Sequence, residues 1–263
     1  MKYSFLVLIL FHNLVNAQNP GPRLIAMGSG GTAIQDIWSL QQNPAGAAEL
    51  KKPAFALAYE RHLFMPELST QTALFIIPYR GNVLGFSFES YGITEYREQK
   101  AGLSYSRGFG DSFRLAFAIR YFQLNISQYG SAQAVSVEAG FQLNVTDKLI
   151  IASHIANPNQ SKYQNLSGLN LPVKLSFGLS FILSDRMLMI TDIRKELNYP
   201  IDGTAGIEYS LIKWFSVRGG ISVNPFKQYS GFGVKSKKIQ FDFAVASHPS
   251  LGYTPQIGFG YEF

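Results

Sequence analysis

A chain of 263 residues with a formal charge of +6, 14% aromatic residues and only 15% charged ones is poorer in charge than soluble domains, which carry roughly 25%. Beyond the N-terminus no apolar run approaches the roughly 20 residues of a spanning helix, which excludes a helical membrane protein and leaves a barrel open. The absence of cysteine excludes a disulfide framework and a lipoprotein anchor. The basic balance does not point to nucleic acid, because lysine and arginine are scattered and cluster only in KSKK at 235–238, which reads as a solvated turn.

In chain order, residues 1–17 read as a signal peptide. Lys2 supplies the charged start, FLVLILF at 5–11 the apolar core, and Val15, Asn16 and Ala17 the cleavage site, so the mature chain is expected to begin at Gln18 and to be exported. Residues 18–52 do not alternate. Their glycines come first, then Thr32 as the expected N-cap of a short helix over 33–41 that Pro44 stops. GSGG follows no strand pattern and lacks a P-loop lysine, so close packing of a plug explains it better than a phosphate cradle.

From residue 53 one pattern recurs. In FRLAFAIRYF, Phe113, Leu115, Phe117, Ile119 and Tyr121 alternate with Arg114, Ala116, Ala118 and Arg120, the period of a strand. Turn signals divide 53–263 into about fourteen strands: 53–64, 69–80, 83–92, 97–107, 112–126, 133–145, 148–156, 171–183, 187–195, 203–212, 215–223, 228–235, 239–247 and 255–263. Only 157–170 is long enough for a substantial loop or flap.

A soluble sandwich would cover its polar face with lysine and glutamate. Here that face is mostly Gly, Ala and Ser with about one charge per strand, so it reads as a lumen, and the greasy face reads as lipid-facing. The expected fold is therefore an all-β transmembrane antiparallel barrel with a small helical hatch inside. Glu89, Arg114, Arg120, Glu138, Lys174, Glu208, Arg218, Asp242 and Glu262 are its candidate lumen charges. The last strand, QIGFGYEF, must then pair with the first, because an open sheet edge in a bilayer would strand its N–H and C=O groups. The glycine-rich stretches RGGISV and YSGFGV, within 218–234, suit either a wall kink or close approach of the hatch backbone.

Two motifs carry a resemblance. Met27, Gly28, Gly30 and Gly31, followed by Asn43, Pro44, Ala45 and Gly46, resemble the N-terminal hatch of the FadL-like outer-membrane barrels, most of all the PorV/PorQ-type branch of Bacteroidetes. Gln256, Gly258, Tyr261 and Phe263 resemble the C-terminal assembly signal of bacterial outer-membrane barrels. The resemblance implies fourteen strands around an inserted hatch, integral in a Gram-negative outer membrane among phospholipid and lipopolysaccharide. It departs from the family's fatty-acid transporters in length, since this chain has no room for their extended surface loops.

Histidines at 12, 62, 154 and 248 lack metal spacing and no serine sits in a nucleophile elbow, so neither an enzyme nor a cofactor is expected. The favoured function is that of an accessory subunit of a larger outer-membrane complex, of the type IX secretion or barrel-assembly kind. The alternative is a hatch-gated transporter of hydrophobic small molecules such as fatty acids.

Overall fold

A computed structural model describes residues 19–62, 65, 68–164, 170–197, 199–249 and 252–263. The expected signal peptide lies outside the described residues. Fourteen antiparallel strands close into one barrel: β1 (Ala54–Arg61), β2 (Ser69–Tyr79), β3 (Asn82–Gly92), β4 (Tyr96–Phe109), β5 (Phe113–Ile126), β6 (Gly130–Asn144), β7 (Leu149–Ala156), β8 (Lys174–Ser184), β9 (Met187–Glu196), β10 (Asp202–Ile212), β11 (Phe215–Val223), β12 (Phe226–Lys235), β13 (Ile239–His248) and β14 (Gly252–Glu262).

Each strand pairs with its neighbours in sequence, and β1 pairs with β14 from Ala54↔Glu262 to Glu60↔Gln256, so no edge is left open. Phe263, the last residue of the strand expected over 255–263, falls one position past the end of β14, yet its N–H still donates to the Pro53 carbonyl at 3.0 Å. The end where β1 starts and β14 finishes is called here the turn end, because tight connections join the strands there. At the β2–β3 connection Arg80 and Gly81 both have positive φ (49° and 80°), the backbone of a hairpin turn whose twist matches that of its strands. The opposite end is the loop end.

The two faces differ as their composition requires. Outward residues such as Phe117 (57% exposed) and Ile119 (55%) form an apolar wall, with aromatic rings gathered towards the turn end, among them Phe55, Phe259 and Phe263. Inward residues such as Ala56, Ala58, Ala116, Ala118, Ser104 and Ser106 are buried and small. They are small because the lumen is occupied.

The occupant is the segment 19–53. It forms helix α1 (Pro22–Ala26), helix α2 (Ser39–Gln42) and a 3-10 helix (Pro44–Glu49). The expected single helix over 33–41 is not formed. The Thr32 hydroxyl is drawn instead to a carboxylate on the wall, Asp192, and Pro44 opens the 3-10 helix rather than ending an α-helix.

Strand boundaries depart from expectation by a few residues, for local reasons. β6 and β14 start earlier than expected, at the turn glycines Gly130 and Gly252, whose φ angles are 97° and 92°. β1 ends at Arg61 rather than 64. β8 starts late because Leu171 belongs to the preceding loop, where its N–H donates to the Ser161 carbonyl at 3.2 Å. That loop folds inward: Tyr163 and Leu171 are buried against Leu124, Ala132 and Ala134 of β5 and β6. Its residues 165–169, part of the expected flap, lie outside the described residues.

Candidate functional site in the lumen

The hatch is fastened to the wall by polar contacts that its own short helices cannot supply. Asn43 caps the 3-10 helix, its side-chain oxygen accepting from Ala45 N–H at 3.2 Å. Its Nδ2 donates to the carbonyls of Thr32 at 2.9 Å and of Phe141 on β6 at 3.1 Å. A Cβ on the facing Gly140 would stand 2.1 Å from Asn43 Oδ1, so the wall is bare where the hatch approaches. Ser106 donates to the Pro44 carbonyl at 2.7 Å, and a Cβ on Gly46 would meet the Ile34 carbonyl at 2.1 Å.

On the other side of the lumen Asp192 of β9 accepts from Gly31 N–H (2.7 Å), Thr32 N–H (3.0 Å) and Thr32 Oγ1 (2.9 Å). Met27 and Gly28 lie flat against the wall glycines. Cβ atoms on Gly206 and Gly220 would approach them to 2.2 Å, and Gly28 itself holds φ at 82°. The glycine-rich wall strands therefore admit the hatch backbone; Gly231 likewise faces Ala26.

The candidate lumen charges fall into pairs that tie wall to wall and wall to hatch. Arg23 of the hatch bridges Asp36 (2.7 Å) and Glu208 (2.8 Å); Arg218 joins Glu208 (2.5 Å) to Asp242 (2.6 Å). Burial pulls the Arg23 guanidinium down, but Glu208 and Asp36 outweigh it and hold it above its ordinary range, so Arg23 is always charged.

A second group joins Arg120 to Glu138 at 3.2 Å and to Ser87 at 2.5 Å, with His154 3.4 Å from the same carboxylate. Arg120 also donates to the Leu40 carbonyl of the hatch. Arg114 holds Glu49 at 2.5 Å, and Lys100 holds Glu89 at 2.8 Å. Charges this deeply buried persist only when paired.

Two assigned positions behave differently from the rest. Glu262 lies at the turn-end rim, half exposed, 2.9 Å from Lys52, rather than in the lumen network. Its place near the strand's end carries the side chain beyond the enclosed space. Lys174 lies at the loop end, 3.6 Å from Glu196.

In the C-terminal motif Gln256 turns inward to Asn19, and a Cβ on Gly258 would crowd Pro22 at 2.5 Å. Tyr261 and Phe263 turn outward to stack near Phe55 at 6.0 and 6.2 Å. Sequence reading missed Asp192, Arg194 and Asp202, and the hatch residues Asn19, Arg23, Asp36 and Glu49. Asp192 and Arg194 share the inward parity of Ile190, so alternation along β9 exposes them. For the hatch residues no periodic signal exists.

At the loop end a cavity of about 300 Å³ opens between the ends of β7 to β11. Lys174, Arg194, Glu196, Asp202 and His154 line it, and Gln42 of the hatch contributes to it from within. Arg194 binds Asp202 at 2.8 Å and the Ser29 carbonyl of the hatch at 3.0 Å, so one side chain touches the cavity, the wall and the plug.

No protein-family model and no curated protein matches the chain, but its fold has solved counterparts. The toluene transporter TbuX of Ralstonia pickettii superposes with a TM-score of 0.71 at 13% identity, over 95% of this chain and 100% of that one. The chain has the FadL-like outer-membrane barrel fold. The Pseudomonas putida toluene transporter TodX (TM-score 0.70, 10% identity, 91% of this chain and 96% of that) and a Pseudomonas aeruginosa FadL homologue (0.68, 11%, 92% and 98%) agree. A closed fourteen-stranded wall with an apolar exterior makes this an integral outer-membrane protein, its hatch and loop-end cavity enclosed by that wall.

Proposed function

We propose that this FadL-like barrel passes hydrophobic small molecules bearing a polar head, such as fatty acids, through its hatch-gated lumen. The cavity at the loop end carries the proposal, because the hatch helps to form it and Arg194 bonds both to Asp202 beside the cavity and to the hatch at Ser29. A ligand head competing for Arg194 would loosen its hold on the hatch. Lys174 and Arg194 favour a head that can accept charged hydrogen bonds over a bare hydrocarbon. That the fold's counterparts TbuX and TodX are toluene transporters supports transport over the accessory role.

The test is displacement of a fluorescent long-chain fatty acid from the full chain in detergent, with uptake into vesicles as the second readout. Saturable binding is expected, weakened about tenfold in Lys174→Gln/Arg194→Gln, the size of one lost charged hydrogen bond. Binding that is absent, or equal in the double variant, removes the proposal.

A second reading, the accessory subunit bound to a larger outer-membrane complex, is favoured by the wall itself. Every neighbouring pair of strands is hydrogen-bonded around the ring. Recovery in mild detergent only as part of a large assembly, without lipid binding, supports that reading instead.

A further inference from the structure

The turn end of the barrel is strongly basic. Arg80, Arg107, Lys148, Arg186 and Lys213 stand exposed on or beside the first five connections, and KSKK at 235–238 adds three exposed lysines on the sixth. Lys51, on the segment that leads from the hatch into β1, is exposed as well. Against them stand the exposed Asp111, Asp147 and Asp185, too few to neutralise it, since the half-exposed Glu262 and Glu49 are already paired with Lys52 and Arg114. At the loop end Lys100, Lys174 and Arg194 are paired with Glu89, Glu196 and Asp202, and the exposed bases among the described residues, Arg97, Lys162 and Lys195, stand at only three of its connections.

Three of the bases also lie over rings of the outer wall. The Arg80 guanidinium lies 5.2 Å from the Tyr79 ring centre, that of Arg107 5.2 Å from Phe109, and Lys238 Nζ 5.8 Å from Tyr261. Aromatic girdles sit at the level of lipid headgroups, and long basic side chains beside them place their charge at the phosphates.

We propose that the turn end carries a collar that binds the headgroups of anionic phospholipid. Its distribution decides the occupant. A docking protein or a nucleic acid meets one face, whereas these charges recur at every connection at this end of the circumference, and three of them, Arg80, Arg107 and Lys238, lie over rings of the outer wall, where the surrounding lipid annulus lies. The attraction comes from the summed field of many exposed bases, so it is screened by salt.

The two tryptophans make a direct test. Trp214 is 56% exposed at the turn end and Trp38 is 2% exposed inside the lumen, so quenching by lipid reports on Trp214. The full chain is reconstituted in phosphatidylcholine vesicles doped with brominated phosphatidylglycerol or with an equal share of brominated phosphatidylcholine. Quenching is expected to be severalfold stronger with the phosphatidylglycerol and to lose that advantage at high salt. The advantage should also vanish in Lys148→Gln/Arg186→Gln/Lys213→Gln, whose heat-modifiable mobility confirms a folded barrel, and survive in the loop-end control Lys162→Gln/Lys195→Gln. Equal quenching by both lipids overturns the collar, and so does an advantage that persists in the triple variant. Loss of a co-purifying acidic protein in that variant, with lipid preference unchanged, assigns the bases to a protein partner and overturns it too.

Discussion

Asp192 shows how much one side chain holds. Its carboxylate takes two backbone N–H groups and one hydroxyl from the hatch in a buried setting. Replacing it with alanine leaves three buried donors without a partner, so Asp192→Ala is expected to destabilise the folded barrel by about 2–4 kcal/mol, and Asp192→Asn by less. Urea titration in lipid vesicles measures the difference, and a wild-type midpoint in the alanine variant removes Asp192 as a hatch anchor. This residue was legible by the same face rule that selects Glu138 and Asp242, since parity along β9 turns it inward. Its bonding partners were not legible. Nothing near Thr32 announces a partner 160 residues away in sequence.

Among the elements, the fourteen strands were readable because a membrane wall has two faces of opposite character, and a period of two records that contrast residue by residue. The hatch escaped the same method. It is enclosed on all sides, so Leu24, Met27, Ile34, Trp38 and Leu40 are all buried with no exposed face to set a helical period. The glycine-rich wall strands were legible as glycine but not as purpose, since a kink and a close backbone approach leave the same letters. The close approach gives a second expectation. In Gly220→Val a Cβ would stand 2.2 Å from Gly28 N, a backbone atom that cannot swing aside. The barrel should still form and show heat-modifiable mobility, while its hatch is displaced and trypsin cleaves after Arg23 many times faster. Mass spectrometry of the digest reports this, and an Arg23 bond as resistant as in the wild type would show that the hatch tolerates the side chain where it lies.

For the whole molecule, stability rests on the contrast between a lipid-facing wall and a plugged interior. Ile119 faces outward near the middle of β5, whereas Ser136 of β6 faces inward and is buried. Ile119→Arg should cost about 2–4 kcal/mol in a bilayer, the depth-dependent cost of a charge near the midplane, and Ser136→Ala less than about 1 kcal/mol. Equilibrium folding into vesicles compares them; a reversed order would turn the wall inside out. One further property follows from the seam between β1 and β14. The plug runs from Asn19, beside Glu60 and Glu89 near the loop end, to Glu49, held by Arg114 near the turn end, and thus fills nearly the full height of the ring. A stopper of that length, fastened on several sides, is not pushed into a finished cylinder. The staves are expected to be raised around it, with the first joined to the last only once the insert is in place.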